Sequence, residues 1–128
     1  MATSKRVNAQ AKFLSDLVTF LKWIEMYHPW LVVTGDELKR TEYQQKEYKR
    51  LGKSLTMDSA HRDRRAADLC FYNSETGEYY EPGKKTKEIL DIIGRKWVSM
   101  DPKNRWGGNF KYKNGDPFYD TPHFERQK

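Results

Sequence analysis

Ala66-Ala-Asp-Leu-Cys-Phe-Tyr72, followed by Asn73-Ser-Glu-Thr-Gly77 and then Glu78-Tyr-Tyr80, is the stretch that decides the fold. Its first part reads as a strand. The Asn/Ser/Thr/Gly cluster reads as a turn, and the aromatic pair after it as a returning strand, so the unit predicts a hairpin. Upstream, Trp30-Leu-Val-Val-Thr34 is a short β-rich run ending at Gly35, read as a buried strand. Before it, apolar residues at 13, 14, 17, 18, 20, 21, 24 and 27 follow helical spacing until His28-Pro29 stops the pattern. Thr41-Glu-Tyr-Gln44 has the form of a capping box and predicts a polar helix ending near Gly52. Downstream, Thr86 to Val98 carries Ile89, Leu90, Ile92, Ile93 and Trp97 at helical spacing, with Gly94 the one poor helix former. Asn114-Gly115 marks a turn between Phe110-Lys-Tyr112 and the last segment. The expected class is α+β, a small and mostly antiparallel sheet with flanking helices.

The chain has 128 residues, which predicts one domain over 1–128 with no separate wall-binding or second catalytic unit. Hydrophobic residues make up 37%, but 14% of the chain is aromatic, so a core built around large rings is expected rather than disorder. No run approaches the roughly 20 apolar residues of a membrane span. Residues 1–10 lack the apolar region and cleavage site of a secretory signal, so the expectation is a soluble protein with no stable membrane insertion. The single cysteine, Cys70, excludes an internal disulfide framework and any cysteine-rich zinc finger. The net charge of +6 favours polyanionic partners, among them nucleic acid, anionic lipid and bacterial cell wall. The basic residues are dispersed, the densest run being His61-Arg-Asp-Arg-Arg65, which is also what an ordinary solvated surface looks like.

Two of the three histidines stand in suggestive company, in Ser59-Ala-His61-Arg-Asp-Arg-Arg-Ala-Ala-Asp68 and in Asp120-Thr-Pro-His123-Phe-Glu125. Two imidazoles and a carboxylate are a frequent protein set for catalytic zinc, because they leave the fourth position for water. His61, Asp68 and His123 supply that set. One straight helix from His61 to Asp68 would hold them about 10 Å apart, at about 1.5 Å per residue, so the histidine must end one element and the aspartate belong to the next. Asp120 is the candidate general base. In an extended strand it would point away from His123, but Thr121-Pro122 permits a bend that turns both into one cleft. His28 reads as a helix-end histidine, Cys70 as a small buried hydrophobe, and Glu125 as a surface or salt-bridge residue outside the site.

Together, Ser59-x-His61-x6-Asp68, Trp106-Gly-Gly-Asn-Phe110 and Asp120-x-x-His123 resemble the zinc peptidase family of D-alanyl-D-alanine carboxypeptidases and bacteriophage L-alanyl-D-glutamate endopeptidases. That family shares its fold with the Hedgehog signalling domain. The motifs agree in order and approximate separation from Arg40 to Glu125. The resemblance implies zinc held by His61, Asp68 and His123, with Asp120 as general base. It implies that Arg40, in Leu38-Lys-Arg-Thr-Glu-Tyr-Gln-Gln45, polarises the substrate carbonyl, and that Ser59 and Trp106 contact substrate near the metal. Each has a plainer reading: Arg40 as a surface arginine, Ser59 as a turn cap, Trp106 as core. The family usually has glycine where Arg64 stands, and if that position needs a positive φ the arginine costs on the order of 1 kcal/mol or more. It often has Asp where Asn109 stands, and Asn109 is given no chemical role.

The implied activity is zinc-dependent cleavage of peptidoglycan stem peptides, at the L-alanyl-D-glutamate bond in a phage lysis enzyme. Such an enzyme would be made in the host cytoplasm as a monomer and released by a partner such as a holin. The runner-up is a D-alanyl-D-alanine carboxypeptidase or dipeptidase with the same zinc chemistry, and a remote rival is a basic nucleic-acid-binding protein.

Overall fold

The computed structural model describes residues 2–35 and 60–128. The helix expected over 41–52 lies outside the described residues. The elements are α1 (Lys5–Tyr27), β1 (Leu31–Gly35), β2 (Ala66–Asn73), α2 (Glu88–Ser99), β3 (Asn104–Trp106), a single 3₁₀ turn (Gly107–Asn109) and β4 (His123–Arg126). The four strands form one sheet in the order β1-β2-β4-β3, with every neighbouring pair antiparallel. The α+β class and the antiparallel sheet are as expected. Among the described residues no helix is long and apolar enough to cross a membrane.

Helix α1 begins earlier than the apolar periodicity predicts. Ser4 caps it, its hydroxyl accepting the Val7 N–H at 3.1 Å. The first two turns are polar and exposed, so no apolar stripe announces them. Only Phe13, Leu17, Phe20 and Ile24 of the hydrophobic residues are buried, while Leu14 and Val18 face solvent. The helix stops where Pro29 disfavours helical backbone at His28.

The Asn73 turn forms as read. Asn73 Oδ1 accepts the N–H groups of Glu75 and Thr76 at 2.9 and 3.2 Å, and Gly77 takes φ +76°. The return is shorter than a full strand: Tyr79 makes one bridge to Tyr72, and the Tyr80 N–H donates to the Phe71 carbonyl at 3.0 Å. The Asn114-Gly115 turn likewise closes only an isolated bridge between Lys111 and Pro117.

Side chains alternate across a strand, and that alternation divides the molecule. Ala67, Leu69 and Phe71 of β2 and Phe124 of β4 are buried in the core. There Phe124 meets Phe20 of α1 at 5.1 Å, Trp97 of α2 at 6.0 Å and Phe71 at 6.0 Å between ring centroids. The fully buried Trp97 also donates its indole N–H to the carbonyls of Arg105 and Glu125, at 3.1 and 3.2 Å, tying α2 across β3 and β4. Asp68, His123 and Glu125 are the intervening residues and belong to the opposite face.

Gly94, a poor helix former by propensity, has a packing reason to be where it is. A Cβ there would lie 2.1 Å from the Trp106 ring, which is itself only 3% exposed. Helix propensity alone favours Gly94→Ala by about 1 kcal/mol. The overlap with a rigid, enclosed indole outweighs it, and the variant is expected to lose about 1–3 kcal/mol in urea unfolding.

Arg64 takes φ +58°. The Arg65 N–H donates to the Ala60 carbonyl at 2.8 Å and the Arg64 N–H to the His61 carbonyl at 3.2 Å. This is the paired bonding of a Schellman turn, with Arg64 at the left-handed position that glycine usually fills. Its side chain is exposed, so Arg64→Gly removes strain and few contacts. That variant is expected to gain about 1 kcal/mol in the same unfolding experiment.

Candidate metal centre

The Schellman turn reverses the chain after His61 and feeds it into β2, which is how seven residues bring His61 beside Asp68. Asp68 is in turn the direct cross-strand partner of His123 in the β2–β4 ladder. Side chains at opposed antiparallel positions share a face, so the register alone pairs this carboxylate with this imidazole.

The three ligand atoms form a nearly equilateral triangle. His61 Nε2 lies 3.1 Å from His123 Nδ1 and 3.2 Å from Asp68 Oδ1, and His123 Nδ1 lies 3.4 Å from Asp68 Oδ1. Zinc bonds to nitrogen and oxygen run about 2.0–2.1 Å, and the edge of a tetrahedron with such bonds is about 3.3–3.4 Å. The triangle therefore has the size of one tetrahedral face, and its donor set suits zinc. Both imidazoles are buried, and Asp68 keeps a fifth of its side chain in contact with solvent.

Electrostatics reinforce the arrangement. Burial works against charge on Asp68, but hydrogen bonds to His123 and His61 and their positive charge hold its carboxyl well below the usual range. Burial also opposes a proton on His123. Hydrogen bonds to Asp68 and Glu125, with the negative charges of Asp120 and Glu125, override it and raise the pKa from 6.5 to about 9.

Asp120 is brought to His123 by the bend its sequence permits. The Asp120 carbonyl accepts the His123 N–H at 3.1 Å, closing a turn over Thr121-Pro122, and the Asp120 N–H donates to the Gly107 carbonyl at 3.0 Å. Tyr119, just before it, is left-handed with φ +51°. Gly107 makes room for this turn: a Cβ there would lie 2.1 Å from the Asp120 carbonyl oxygen and 2.9 Å from His123 Cβ.

Trp106, read as a substrate contact or as core, is 3% exposed. Its ring is enclosed, lying within 2.3 Å of where Gly94 and Gly108 would carry a Cβ, and its indole N–H donates to the Thr121 carbonyl at 2.9 Å. It supports the Asp120–His123 turn from the core. Arg40 and Ser59 lie outside the described residues.

Glu125, read from sequence as a surface or salt-bridge residue outside the site, is paired with His123. Its Oε1 lies 2.7 Å from His123 Nε2, and its side chain is largely buried. Burial disfavours the Glu125 carboxylate, but His123, Arg105 and Arg65 together keep its pKa below the ordinary value. The signal was present: positions i and i+2 of a strand share a face.

No family model and no curated protein matches the chain. Among solved structures it is similar to the Serratia marcescens L-Ala D-Glu endopeptidase ChiX, with a TM-score of 0.63 and 22% identity over 98% of this chain and 89% of that one. The likeness is one of fold, and within that fold the present chain sets a His–Asp–His triangle of tetrahedral size.

Proposed function

We propose that the protein is a zinc-dependent peptidoglycan peptidase that cleaves the L-alanyl-D-glutamate bond of the stem peptide. The observation that carries this reading is the His61–Asp68–His123 triangle, set in a fold similar to that of an L-Ala D-Glu endopeptidase. Its setting, on this reading, is host lysis by a phage enzyme that acts as a monomer and reaches the wall with the help of a holin.

His61, Asp68 and His123 would hold the ion, with Asp68 supplying the one negative charge. Zinc, when bound, supplies Lewis acidity that acidifies water and polarises a carbonyl. Asp120 accepts the proton of the attacking water and returns it to the leaving amine, a role that its placement against His123 supports. Arg40 steadies the developing charge on the carbonyl oxygen, and Ser59 contacts substrate beside the metal; both assignments rest on the motif resemblance. The net charge of +6 favours approach to an anionic envelope.

Mass spectrometry of purified stem peptides is expected to show cuts between L-alanine and D-glutamate that vanish with chelator and return with zinc. Asp120→Ala should lower the rate by about 10²–10⁴-fold while still binding zinc. Release of terminal D-alanine instead would make the enzyme a carboxypeptidase, and intact stems under every condition would sink the peptidase reading.

The raised pKa of His123 gives a second test. Protonated His123 stabilises the metal-free fold fully below the unfolded value of 6.5, and that contribution is lost as pH rises through about 9. The melting temperature of chelated protein should therefore fall over this window. Zinc, which replaces the proton, should stabilise increasingly over the same range. A zinc-induced shift that is flat from pH 6.5 to 9 would refute the coupling.

A further inference from the structure

His123 presents Nδ1 to the triangle and turns Nε2 the other way, onto Glu125 Oε1 at 2.7 Å. With Nε2 turned to an acceptor oxygen, Nδ1 is the ring nitrogen placed toward the triangle, where a metal would take its lone pair. Two further groups hold the same ring. Phe110 packs on the His123 imidazole with centroids 5.5 Å apart, and the Arg105 guanidinium lies 4.6 Å over the Phe110 ring. Arg105 is the cross-strand partner of Glu125 in the β3–β4 register, and its charge acts on that carboxylate. Glu125, Phe110 and Arg105 thus form a closed bracket around one imidazole.

We propose that Glu125 is a positioning residue for the metal centre, fixing the tautomer and plane of His123 from behind, with Arg105 and Phe110 steadying the pair. The inference rests on the zinc reading above and concerns affinity for the ion rather than a step of the reaction. Its physical basis is general: a ligating imidazole whose far nitrogen donates to a carboxylate is both more basic and better aimed. Among the described residues, strand alternation makes Glu125 the carboxylate that can do this for His123 without displacing Asp68.

The test is zinc affinity, measured by competition with a chromogenic chelator, together with the visible absorption of the cobalt-substituted protein. Glu125→Ala is expected to weaken zinc binding by about 10–100-fold and to alter the cobalt spectrum. Glu125→Gln keeps an acceptor oxygen for Nε2–H and should recover most of the affinity and the wild-type spectrum. Arg105→Met, at an exposed position, should weaken binding only a few-fold. Far-ultraviolet circular dichroism of the metal-free variants separates local from global effects, and should Glu125→Ala fail to fold, the Gln and Met variants carry the comparison. Unchanged affinity and spectrum in folded Glu125→Ala would overturn the proposal, as would equal losses in the Ala and Gln variants. A wild-type protein that binds no zinc would overturn the zinc reading itself, a result distinct from either.

Discussion

The pairing of Asp68 with His123 across β2 and β4 is the constraint on which the rest depends. A slip of β4 by one residue would turn His123 into the core, away from Asp68, and bring Phe124 out. That slip is opposed by the aromatic cluster, because Phe124 is fully enclosed among Phe20, Phe71 and Trp97. The hydrophobic residue between two polar ones is therefore the register pin, and the core on one face fixes the geometry of the centre on the other. Trp97 adds to this by bonding the carbonyls of both Arg105 and Glu125, so that β3 and β4 cannot shift separately.

Three glycines and one tryptophan transmit that rigidity to Asp120. Trp106 fits against the backbone of Gly94 and Gly108, and its indole N–H reaches the Thr121 carbonyl. Gly107 then lets the Asp120 carbonyl approach where any side chain would collide. The aromatic-Gly-Gly segment is thus a spacing device. The absent Cβ atoms let the Trp106 ring lie against α2 and the 3₁₀ turn, and let the Asp120–His123 turn approach Gly107 at backbone distance.

What could be read from the sequence follows from how local each signal is. The strand at Ala66–Tyr72, the Asn73 turn and α2 depend on neighbouring residues, and they form close to where periodicity and turn chemistry put them. The first turns of α1 were missed because they bury no apolar residue; a serine cap and good helix formers extend the helix without leaving a stripe. His61, Asp68 and His123 were selected by residue type and motif order, but their triangle depends on pairing between strands far apart in sequence. The same non-locality governs two more residues. The enclosure of Trp106 depends on Gly94, twelve positions upstream, which no local signal shows. Glu125 visibly alternates with His123 in the sequence, but a lone glutamate on a short strand is read equally as a surface or a salt-bridge residue until the fold shows its partner. Arg40 and Ser59 belong to the motif and lie outside the described residues.

The left-handed residues show where the chain departs from local preference and for what reason. Arg64 and Tyr119 are the described non-glycine residues with positive φ, at 58° and 51°. One ends the turn that reverses the chain between His61 and Asp68, and the other immediately precedes Asp120. Each such conformation disfavours the fold by about 1–2 kcal/mol for an L-residue, and nothing in the core requires either. Strain of this kind persists only where surrounding contacts over-determine it. Here those contacts are identifiable: the paired Schellman bonds around Arg64, and for Tyr119 the bond from the Gly83 N–H to its carbonyl together with the Asp120–Gly107 bond. Arg64 lies between His61 and Asp68, and Tyr119 beside Asp120, so both strained points adjoin residues of the candidate centre. The chain thus adopts unfavourable backbone at the two turns that join His61 to β2 and Asp120 to β4, connections the sheet register alone does not make.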